Sequence, residues 1–75
     1  MKGQITKEGL ARVLKQLRVE HELTQQELAD DFYCDIRQIR RYETEGTDKI
    51  TIVGLYAELF NINIISILGQ AQDAF

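Results

Sequence analysis

Proline is absent from this chain, and cysteine and serine each occur once. Without proline, repeats or low-complexity stretches nothing marks a linker, so residues 1–75 are expected to form one domain, its core about 7–69. The lone Cys34 cannot close an internal disulfide. The fold must therefore rest on packing, which suits a reducing, cytoplasmic setting. No apolar run approaches the roughly 20 residues that cross a bilayer, and the opening MKGQITKE lacks the apolar core of a signal peptide. Catalytic equipment is missing as well: Ser66 is the one serine, no glycine-rich phosphate loop is present, and no nucleophile has a base at useful spacing. Asp30 and Asp31 are adjacent, so on a helix their side chains diverge. His21 has no second histidine or cysteine at ligand spacing. No enzyme activity, metal or cofactor is expected. Cys34 reads as a small apolar packing residue, with Asp35 beside it disfavouring the thiolate.

What the chain does hold is helix-forming pattern. An apolar content of 44% with 28% charged residues describes a folded globule, near the lower size limit for a core that is stable alone. Thr6 is placed to cap a first helix carrying Leu10, Val13, Leu14 and Leu17 at helical spacing. Thr24-Gln25-Gln26-Glu27 is a capping box opening a second helix, with Leu28, Ala29 and Phe32 on one face. Asp35 caps a third, Thr51 a fourth with Ile52, Val53, Tyr56, Ala57 and Phe60 inward, and Asn63 a fifth. Asn61 suits the left-handed residue that ends the fourth. No stretch alternates with period two for long enough to make a strand. The expectation is an all-α, compact five-helix domain.

Only Tyr33, Cys34 and Asp35 separate the second and third helices, and so short a link sets them at a steep angle, the geometry of a helix-turn-helix. Projected at about 100° per residue, Ile39, Tyr42 and Glu43 share the inward side of the third helix. Arg37 and Arg41 fall opposite them, with Ile36 and Arg40 on the flank. An exposed second helix with a cationic outer face has what reading a major groove requires. The net charge of −3 is a whole-chain sum and does not describe that face.

At these positions the chain resembles the lambda-repressor-like (Cro/CI, or XRE-type) helix-turn-helix DNA-binding domains. The resemblance covers residues 10 to 69 and rests on LTQQELA at 23 to 29, Ile39, Tyr42, Glu43 and AELFNIN at 57 to 63. It implies a five-helix domain regulating transcription, usually as a dimer on a palindromic operator. It implies base contacts from Asp35, Ile36, Arg37 and Arg41, and DNA-backbone contacts from Gln25, Thr47 and Lys49; Ile36, which offers no hydrogen bond, either touches a thymine methyl or packs against Tyr33 to stiffen the turn. Arg18 and Glu43 match a structural brace between helices one and three. Arg40 stands to one side, at a phosphate or in an ion pair. The chain departs from the family pattern at four points. Tyr33 holds the turn position usually given to glycine, and Asp30 and Asp31 lie near the expected DNA backbone. Gly46 comes one residue late, and Ile50 replaces a proline.

The C-terminal third holds more apolar surface than one core needs, with Leu55, Leu59 and Ile65 pointing away from it as a dimer or domain interface. The expected function is a sequence-specific DNA-binding regulator of repressor type, its partner a double-stranded operator. Two alternatives stand beside it: a protein-interaction module of the same fold, and the N-terminal DNA-binding domain of a larger peptide-responsive regulator.

Overall fold

Thr6 ends the extended N-terminal segment and starts the first helix: its hydroxyl oxygen accepts from the Gly9 amide at 2.9 Å, filling one of the donors a helix start leaves open. The computed structural model describes residues 4–73. The chain runs β1 (Gln4–Ile5), α1 (Lys7–Glu20), α2 (Gln25–Asp31), α3 (Ile36–Thr44), α4 (Ile50–Phe60), α5 (Ile64–Gln70) and β2 (Gln72–Asp73). The same local logic opens three more helices. Thr24 and Glu27 form the reciprocal capping box of α2. Asp35 accepts from Arg37 N at the start of α3, and Asn63 from Ile65 N at the start of α5.

Two expectations need correction. Thr51 does not cap α4; the helix begins at Ile50 with Lys49 in the cap position and no side-chain bond. The nearby hydroxyl that does bind an amide is Thr47, which accepts from Lys49 N at 3.1 Å and shapes the loop rather than the helix. Secondly, although the five helices give the all-α class expected, the described residues also hold one short strand pair. Gln4 pairs with Asp73 and Ile5 with Gln72 in a two-residue antiparallel ladder. Such a pairing of distant segments has no local periodicity and is invisible to pattern reading.

Helix ends are as regular as the starts. After α1, α2 and α4, one residue turns left-handed and the next amide reaches back to an earlier carbonyl: Leu23 N to Arg18 O, Cys34 N to Ala29 O, and Ile62 N to Ala57 O. The left-handed residues are Glu22, Tyr33 and Asn61, none a glycine. Gly46 also has φ of +77°, and a Cβ there would meet the Lys7 carbonyl oxygen at 1.9 Å, so the loop after α3 closes onto α1 only with glycine.

Leu14, Leu28, Ile39, Tyr56 and Ile67 are fully sealed in the core, where α1 packs on α3 and α5, and α2 on α3. Ala29 is completely buried, as a small residue must be where two helices cross closely. Phe32 meets Tyr56 edge to face, ring centroids 5.1 Å apart. Burial, and then the nearby Glu43 charge, push the Tyr56 phenol far above its ordinary pKa, and its hydroxyl has no hydrogen-bond partner among the described residues. An unpartnered buried hydroxyl is unfavourable by roughly 1–3 kcal/mol. Tyr56→Phe is therefore expected to raise the urea midpoint or leave it unchanged, and a clear fall would mean the hydroxyl is bonded.

Candidate functional site

The link from α2 to α3 is set by backbone. Phe32 closes α2, Tyr33 turns left-handed at φ of +55°, and the Tyr33 and Cys34 amides bond back to Asp30 and Ala29. The turn is thus the one expected to need glycine, made by a tyrosine that accepts the strain. Its side chain is 97% exposed and contributes no packing in return. A left-handed non-glycine residue is unfavourable by about 1–2 kcal/mol, so Tyr33→Gly should stabilise the domain by about 1 kcal/mol. Thermal unfolding measures this; a lower midpoint would mean that Tyr33 makes a contact.

Beyond the turn, α3 divides into two faces. Ile39 is sealed and Glu43 buried, Tyr42 is half-buried, and Arg37, Gln38, Arg40 and Arg41 are exposed. Arg37 and Arg41 are thus segregated outward, as the projection expects. Gln38 shares their exposure and carries an amide able to bond adenine bidentately; it was missed because attention to charge passed over it. Ile36 is half-buried and packs against the core, so part of its side chain seats the start of α3. Asp35 and Arg37 form a unit. One carboxylate oxygen accepts from Arg37 N at 2.8 Å and Nε at 3.2 Å, the other from Nη2 at 3.3 Å. These bonds, the side-chain one foremost, hold the Asp35 carboxyl below its usual pKa. Its ionised form therefore persists as pH falls and is lost only on passing that depressed value.

Behind this face lies a polar chain that runs from the buried Glu43 outward. Arg18 on α1 donates from Nε and Nη2 to the two oxygens of Glu43 on α3, and from Nη1 to Leu23 O at 2.7 Å. The hydrogen bonding with Glu43 raises the Arg18 pKa despite burial. Gln25, at the first position of α2, donates from Nε2 to Glu43 at 3.1 Å and accepts from Arg40 Nε at 3.4 Å. So the expected brace is present, and it extends through Gln25 to Arg40. Gln25 is half-buried with its amide engaged on both ends, which makes it a link between helices more than an outward donor. Arg40 uses only Nε in this chain, and its terminal nitrogens remain outward.

The loop from α3 to α4 needs one more correction. Thr47 is buried, with its hydroxyl turned to the Lys49 amide, so its side chain is not displayed for a phosphate. Lys49 is exposed. A polar recess of about 180 Å³ lies at this end of α3, lined by Gln38, Arg41, Lys49 and Lys7 together with the acidic Glu45 and Asp48. Among the described residues, no side-chain hydrogen bond or ion pair engages Lys7, Arg41 or Lys49. Lys7 is a cation that the sequence did not point to, because nothing in its local pattern signals that the first turn of α1 folds beside this loop.

Elsewhere, Leu55, Leu59 and Ile65 are exposed as expected, Ile65 by 72%, and Ile50 joins them. Asp30 is exposed and accepts from Gln26 at 2.9 Å. Cys34 is half-buried; burial, then Asp35, push its thiol pKa up, away from reactivity. His21 stacks on Phe60 with centroids 4.3 Å apart. No single helix among the described residues is long and apolar enough to cross a membrane. In comparisons with known proteins, no family model, no curated protein and no solved structure matches this chain.

Proposed function

We propose that this chain is a sequence-specific DNA-binding domain of the lambda-repressor-like helix-turn-helix kind, a repressor-type regulator that sets α3 into the major groove of an operator. The observation that carries the reading is the two-sided α3: Arg37, Gln38 and Arg41 stand outward, directly after a tight turn from α2, while Ile39 and Glu43 are buried behind them. Outward arginine and glutamine at one-turn spacing match guanine and adenine edges. Arg40, Lys49 and Lys7 flank that face as phosphate contacts that fix docking but not sequence. The acidic total lowers general attraction to DNA, which leaves discrimination to the α3 face.

Leu55, Leu59 and Ile65 form an interface with a second copy in this reading. A two-fold pair would place its recognition helices about 34–36 Å apart, one turn of DNA. That same aliphatic surface favours the second reading, a protein-interaction module. Salt titration separates the two. Three phosphate contacts per protomer, six for the pair, give log K against log salt a slope of about −5. A slope near zero, with a protein ligand held equally at both salts, would favour the interaction module.

A further inference from the structure

The carboxylate of Asp35 does more than cap α3. A cap needs only the bond from the Arg37 amide, yet both oxygens also hold the Arg37 guanidinium along its Nε/Nη2 edge. A guanidinium has five N–H donors. With two committed to Asp35, both hydrogens of Nη1 and the second of Nη2 remain, and one from each nitrogen forms the parallel end-on pair that matches O6 and N7 of guanine. The side chains of Arg37 and Asp35 are 81% and 54% exposed, so the free edge is open to a ligand. An unheld arginine at such a site samples many rotamers and must lose that freedom on binding. The adjoining negative charge also weakens the pull of Arg37 toward any phosphate, so the pair contributes less to indiscriminate attraction.

We propose that Asp35 is a positioning residue that presents the end-on edge of Arg37 to guanine, so the pair selects a G·C base pair at the N-terminal end of α3. The proposal rests on the DNA-binding reading above. The second carboxylate oxygen accepts a single bond and has room for another donor. The exocyclic amino group of cytosine or adenine on the adjoining base pair fits that place. Gln38 and Arg41, further along the same face, contact the following base pairs.

The test uses the full chain and the duplex it enriches from a random pool. The guanine assigned to Arg37 is the position at which Arg37→Ala loses discrimination. Asp35→Asn keeps a good helix cap but removes the charge and the two-oxygen clamp, and Asp35→Ser serves as a second capping variant. Affinity is measured on the enriched duplex and on duplexes carrying each other base at that position. The expected result is about a tenfold loss of guanine preference with tighter binding to the other duplexes, because a repulsive charge has gone. Unchanged guanine preference in both variants, or a uniform rise on every duplex, overturns the inference while the DNA reading stands. If the parent chain enriches no duplex, both fall.

Discussion

Replacing Glu43 with alanine should cost about 3–5 kcal/mol of folding stability, the range for stripping the partner from a buried ion pair. A domain of this length has roughly 4–11 kcal/mol in total at the usual 0.05–0.15 kcal/mol per residue, so the variant would lose a large share of its stability and, at the low end of that range, would unfold. The reason lies in the surroundings. The Glu43 and Arg18 side chains are 2% and 12% exposed, so water cannot replace the lost carboxylate. Alanine would leave the guanidinium with only the Leu23 carbonyl and would strand the Gln25 amide as well. Glu43→Gln retains an acceptor and should fall between the two. Arg18→Met with Glu43→Leu removes both charges and should recover much of the loss. Urea unfolding measures all three; a cost below about 1 kcal/mol for Glu43→Ala would mean that the brace is incidental.

Arg37→Ala with Arg41→Ala is expected to act in the opposite way, leaving the fold intact and removing recognition. Both side chains are exposed, and such surface changes usually move stability by no more than about 0.5 kcal/mol. Each lost base contact is worth about 1–3 kcal/mol, so the double variant should bind its operator at least tenfold more weakly and with relaxed preference. The pair lies one turn apart on one face, so a modest departure from additivity is expected. Lys49→Ala, removing a phosphate contact, should instead weaken binding evenly across sequences and reduce the salt slope by about one per protomer. Equilibrium titration on cognate and scrambled duplexes separates these patterns. Equal loss on both duplexes for the arginine variants would assign them to the backbone.

Features that depend on neighbours along the chain are legible in the sequence. Thr6, Thr24 with Glu27, Asp35 and Asn63 each bond an amide two or three residues away, and that reach is a property of the local sequence. The inward set of α3 followed from helical period in the same way. The Arg18–Glu43 brace spans 25 positions and was reached only through the family resemblance. Where chain segments meet from afar, reading failed. The β1–β2 pair, the burial of Thr47 and the approach of Lys7 to Arg41 all depend on the loop after α3 or the chain ends folding back onto α1. Thr51 was a reasonable cap by residue type, but the chain enters α4 through Lys49, whose carbonyl accepts from the Ile52 and Val53 amides with no side-chain cap. Asp35 and Arg37 both match positions facing base edges, but the sequence reading did not foresee that their two-residue spacing across a helix start brings them onto one another.

Selection of bound duplexes from a random pool, run on the parent chain and on Arg37→Ala/Arg41→Ala side by side, tests the role of the α3 face most directly. A single enriched site for the parent chain, absent from the double variant at unchanged thermal stability, is the predicted result. No enriched site for the parent, or the same site enriched by both proteins, would contradict it.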